Sequence, residues 1–73
     1  MLPTDQFIRI ASAGGGLKIS AKNYMTDQLI RIASAASTGG GQIILVDINN
    51  LLTDQLIRIA GAGKGRVVFD FTA

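Results

Sequence analysis

Gly61-Ala62-Gly63-Lys64-Gly65 sets a lysine among glycines, the composition of a loop whose backbone N–H groups and ammonium hold a phosphate. The spacing does not complete that site. A P-loop requires Ser or Thr directly after Gly-Lys, where this chain has Gly65. The pattern Gly-x-Gly-x-x-Gly counted from Gly61 requires glycine at 66, where it has Arg66. Polarity is the stronger objection. Phosphate loops run from strand to helix, because the phosphate rests on the positive end of the helix dipole. Here the loop follows the helix-patterned Thr-Asp-Gln-Leu-Ile-Arg-Ile-Ala (53–60) and precedes the strand-like 66–72. At a helix C-terminus the dipole repels anions. Glycine in that place adopts the left-handed conformation that ends helices, and Lys64 stands near the last carbonyls. The segment reads as a helix stop, and no cofactor is expected.

The remaining chemistry is sparse. The chain has no cysteine and no histidine, which removes disulfides, thiol nucleophiles, imidazole bases and the usual zinc ligands. Its five acids are Asp5, Asp27, Asp47, Asp54 and Asp70, and three of them open helices. Asp47 and Asp70 fall on strands. They would form a general acid/base pair only a few ångströms apart with one pKa raised; the expectation is instead that they keep strands soluble. No catalytic residue and no metal ligand is expected, so the chain does not read as an enzyme.

Arg9, Lys18, Lys22, Arg31, Arg58, Lys64 and Arg66 are scattered, and only Phe7, Tyr24, Phe69 and Phe71 are aromatic. A nucleic-acid binder clusters its basic groups with aromatics that stack on bases, so nucleic acid is not an expected partner. No apolar run approaches the roughly 18 residues of a membrane span, and Met1–Asp5 lacks a signal-peptide pattern. The expectation is a cytoplasmic protein without a membrane partner.

What would position these residues is a unit written three times. Thr-Asp-Gln-Phe-Ile-Arg-Ile-Ala begins at Thr4, and Thr-Asp-Gln-Leu-Ile-Arg-Ile-Ala at Thr26 and Thr53, 22 and 27 residues apart. Small residues and glycine follow each copy, then strand-like runs at 17–21, 42–48 and 66–72. The octamer carries a helix start: Thr4, Thr26 and Thr53 as N-caps, and an aspartate in the first turn. Met25 with Ile30, and Leu52 with Ile57, stand at hydrophobic-staple spacing. Leu29, Ile32, Ala33 and Ala36 form an apolar stripe widened by Ile30. Asp27 and Arg31 lie opposite it as a favourable acid-before-base pair, repeated by Asp5–Arg9 and Asp54–Arg58.

The order α-β-α-β-α-β makes the strands parallel. The expected fold is one α/β domain over 1–73 built of three α-β repeats (4–24, 26–51, 53–73). It has a three-stranded parallel sheet in order 1-2-3 with the helices on one face, a short solenoid-like stack. In one unit Ile44-x-Val46-x-x-Asn49-x-Leu51 resembles the L-x-L-x-x-N-x-L core of leucine-rich repeats. That resemblance implies an α/β solenoid serving as a protein-binding scaffold, with no catalytic residues.

Side chains alternate along a strand, so Ile43 and Leu45 share one face of the middle strand, and Ile44, Val46 and Ile48 the other. Only one face can meet the helices. Large aliphatics are therefore expected on an open face, which a parallel sheet normally covers. The edges also differ: 17–21 is short and flanked by Lys18 and Lys22, whereas 66–72 is longer and aromatic. The interface candidates are Ile43, Ile44, Leu45, Val46, Ile48, Val68 and Asp70, with Arg9, Arg31 and Arg58 as a weaker ladder for an anionic partner. The expected function is a non-catalytic protein-interaction module that homo-oligomerises through its sheet edge or open face, with another protein as a further partner. The alternative is a structural repeat that assembles into filaments or belongs to a longer array.

Overall fold

The computed structural model describes residues 4–72. The chain runs α1 (Thr4–Ser12), β1 (Leu17–Ser20), a 3-10 turn (Ala21–Asn23), α2 (Thr26–Gly39), β2 (Ile43–Val46), α3 (Thr53–Gly63) and β3 (Val67–Phe69). The fold is α/β, with a parallel sheet in the order β1-β2-β3. Leu17, Ile43 and Val67 stand in register, as do Ile19, Leu45 and Phe69. These six form the sheet face beneath the helices, where Ile19, Ile43 and Leu45 join Leu29, Ile32, Ala33, Ala36 and Ile59 in the core. The stripe read from 26–36 is the buried face of α2, which packs against both α1 and α3. Among the described residues no helix is long and apolar enough to cross a membrane.

The strands are shorter than the runs that announce them, and β2 stops for an identifiable reason. Its last residue, Val46, pairs with Ser20. The next residue, Asp47, has a left-handed φ of 55°, which breaks strand alternation. The Tyr24 N–H donates to the Ala21 carbonyl (3.2 Å), and the Leu51 N–H to the Ile48 carbonyl (3.0 Å), so Ala21 and Ile48 open the same turn. Ala21 directly follows Ser20, whereas Ile48 is one residue further from Val46. Asp47 is thus the extra residue of the second connection. Aspartate is among the few residues that tolerate the left-handed region, and the Ser20 hydroxyl donates to its carboxylate at 2.6 Å.

The helix starts differ by one residue from the sequence reading. The N-caps are Met25 and Leu52, both extended, and their carbonyls accept the first helical bonds, from Leu29 (3.1 Å) and Leu56 (3.0 Å). Thr26 and Thr53 are therefore the first helical residues, where a hydroxyl has no cap position to fill. Gln28 and Gln55 do the capping instead: their side-chain oxygens accept the N–H of Met25 (2.8 Å) and Leu52 (2.7 Å), the glutamine half of a capping box. The residue before each cap and the fourth helical residue become Tyr24 with Leu29 and Leu51 with Leu56, all in or against the core. Of the expected staples, Met25 with Ile30 and Leu52 with Ile57, the residues Met25, Leu52 and Ile57 are exposed. Thr4 opens α1, and the residue before it lies outside the described residues.

Helix ends follow the glycine-rich segments. Gly40 takes a φ of 87° and donates to Ala36. After α3 the left-handed residue is Lys64 itself, φ 50°, donating to Ala60. The lysine of Gly61–Gly65 thus occupies the stop position expected of a glycine. At Gly39 close approach is the requirement: a Cβ there would run into the Ala11 and Ser12 carbonyl oxygens, so α2 ends directly against the end of α1.

Candidate functional site

The sheet face opposite the helices carries Lys18, Ile44 and Val68 in one register row, with Ser20 and Val46 paired in the next. Ile44 and Val46 are half-buried and Val68 is exposed. Asp70 follows β3 at the level of Val46, its N–H donating to the Leu45 carbonyl at 2.9 Å. Four of the seven interface candidates, Ile44, Val46, Val68 and Asp70, are therefore gathered at this face. Ile43 and Leu45 are core residues under the helices and are not accessible to a partner. Ile48 is a correction: strand alternation places it with Ile44 and Val46, but the left-handed turn at Asp47 returns it to the core, where it is fully buried.

Charge brackets the apolar row, with Lys18 on one edge strand and Asp70 at the end of the other. The Asp70 carboxylate accepts the Thr72 hydroxyl and the Thr72 N–H. Those two bonds, with the Lys18 charge adding to them, hold its pKa below the ordinary aspartate value. Asp47 accepts from Ser20 instead, so the two strand aspartates bind different partners and share none. Among the described residues no group of three or more acidic, histidine or cysteine side chains converges on a metal position, and no pocket is formed.

Arg9, Arg31 and Arg58 are exposed at equivalent positions of α1, α2 and α3. Among the described residues none of them closes an ion pair. The expected Asp–Arg bridges along each helix are open, as suits long side chains that gain little from pairing in water.

Sequence reasoning missed a second exposed apolar set, made of Ile10, Met25, Leu52, Ile57 and Phe71. Taken one helix at a time these residues look like core or staple positions. For Ile10, Ile57 and Phe71 the signal that could have found them is the repeat: each matches residues of the other units, and only neighbours decide which copy is covered, whereas Met25 and Leu52 match each other and are both exposed. Compared with known proteins, the chain matches no family model, no curated protein and no solved structure.

Proposed function

We propose that this chain is a non-catalytic, solenoid-like interaction module that associates with further copies of itself through its sheet. The carrying observation is the uncovered row of Ile44 and Val68 beside Val46, ending at the open edge of β3. Parallel sheets are normally covered on both faces, and contiguous exposed aliphatics mark association sites. Covering them contributes about 25 cal/mol per Å² of apolar surface. A small domain with a modest core of its own has much to gain from that term. The architectural likeness of residues 44–51 to leucine-rich repeats agrees with a scaffold role.

Sedimentation over a wide concentration range tests the reading. The expected result is a mass above that of one chain, rising with concentration, and weakened by Val68→Lys. That substitution places a charge both on the open face and beside the β3 edge, at a position exposed enough to tolerate it. A mass of one chain at every concentration would refute self-association.

A further inference from the structure

Equivalent positions in the three helices are unequally covered, and the inequality has a direction. A helix advances about 100° per residue, which puts Ile30 and Ile32 on opposite shoulders of the stripe Leu29-Ala33-Ala36. Gly39 lies seven residues after Ile32 and so on the same shoulder, and it abuts the α1 carbonyls. The Ile32 shoulder therefore faces α1. On the other side, a Cβ at Gly63 of α3 would lie 3.5 Å from the Ala33 Cβ, so the Ile30 shoulder faces α3.

The exposures follow that geometry. On the shoulder facing the preceding helix stand Ile10, Ile32 and Ile59, at 40%, 0% and 0% exposure; among the described residues only α1 has no helix on that side. On the shoulder facing the following helix, Ile8 and Ile30 are half-buried while Ile57 is 62% exposed; among the described residues only α3 has no helix there. The strand ends agree. Ala21 after β1 and Ile48 after β2 are buried, whereas Phe71 after β3 is 65% exposed. Each end of the molecule bares one half of an interface that it already builds twice internally.

The sheet edges match in the same sense. The Leu17 N–H donates to Gln42 and the Ile43 N–H to Arg66, so each strand donates from the first residue of its register row. The Asp70 N–H points at β2, and by alternation the N–H groups of Val67 and Phe69 point outward. Because Leu17 donates inward to β2, the Gly16 carbonyl points outward from β1 by the same rule. Pairing Val67 with Leu17 of another copy would repeat the internal register, keeping both residues on the helix face. Lys18 does not obstruct it, since its side chain stands on the open face in line with Ile44.

We infer that a second copy of this chain docks head to tail, its α1 against α3 and its β1 beside β3, one repeat further along. This deepens the self-association proposed above and rests on it. A two-fold pairing of β3 edges, by contrast, would cover Ile57 and leave Ile10 bare in both copies. Head-to-tail contacts form rings or open filaments rather than closed pairs.

Two blocked variants test the geometry. Ile10→Arg obstructs one end and Ile57→Arg the other, both at exposed positions, with circular dichroism to verify folding and Ile10→Ser and Ile57→Ser as milder versions of the same pair. Wild-type protein is expected to grow beyond two chains, and each variant alone to lose that growth and remain a single chain. An equimolar mixture of the two is expected to double in mass and stop there, because one intact junction remains. A wild-type mass that stops at two chains and survives Ile10→Arg would overturn head-to-tail docking while leaving self-association standing. So would a mixture that stays single. Wild type that never exceeds one chain removes both readings.

Discussion

Residues 26–33 and 53–60 are the same eight letters in different surroundings. In α2 the octamer has a helix on each side, and Leu29 is fully buried with Ile30 half-covered. In α3 it has one neighbour; Leu56 is only half-buried and Ile57 is exposed, while Ile59, on the shoulder toward α2, remains sealed. Both copies share the same start, with glutamine bonded to the cap N–H. Local sequence therefore sets the helix and its first turn, and the neighbouring units set which face contributes to stability. Interior and ends of this molecule are one sequence under two boundary conditions.

The sharpest way to break that comparison is to shorten one position in two units. Ile32→Ala opens a cavity in a sealed site and is expected to cost about 2–5 kcal/mol. Ile10→Ala, at the equivalent place in α1 and partly in water already, should cost no more than about 1 kcal/mol, the scale of partial burial. Denaturant unfolding at concentrations dilute enough to keep single chains reads both. Equal losses would mean that the shoulders are not distinguished by their neighbours.

A smaller contrast uses two glycines. Gly39 sits against the α1 backbone, which cannot move aside as a flexible side chain can, so Gly39→Ala should cost about 1–3 kcal/mol by overpacking. Gly61 of α3 has open space around its would-be Cβ. Gly61→Ala should therefore stabilise by about 0.5–1 kcal/mol through helix propensity. Shifts in unfolding temperature of opposite sign are the expected result, and shifts of the same sign would contradict the close packing of α2 on α1.

Much of this arrangement was legible in the letters, because the repeat supplies its own alignment. The element order, the sheet order and the buried stripe Leu29-Ile32-Ala33-Ala36 all follow from periodicity and connection rules. What was not legible turned on single residues. Threonine before aspartate resembles an N-cap, yet the chain caps one residue earlier because Gln28 reaches back to the Met25 N–H. Ile48 carries the parity of the open face, and only the left-handed Asp47 sends it to the core. At the candidate surface, alternation separated Ile43 and Leu45 from Ile44 and Val46, but choosing the buried set required the helices in place.

The smallest effect concerns the two strand-end aspartates, one tied inside the molecule and one at its end. The Asp47 carboxylate is bonded across to β1 through Ser20, whereas the Asp70 carboxylate accepts only from the following Thr72 and is biased by Lys18. Its folded-state pKa is lowered, so the unfolded chain binds the proton more readily. The stabilisation is fully present above the unfolded value of about 3.9 and is lost as pH falls through the lower folded value. The bonds span only two residues, so the effect is local: they fix the turn at residues 70–72 that follows β3. The stability difference between wild type and Asp70→Asn should be constant from neutral pH down to about 4, then shrink with further acidification. Molar salt should remove the Lys18 part and leave the Thr72 bonds, since screening acts on separated charges and scarcely on a direct hydrogen bond. Denaturant midpoints across that pH range decide it: a difference that grows as the solution becomes more acidic would show the opposite sign, and with it that the end of β3 is not held by an ionised carboxylate.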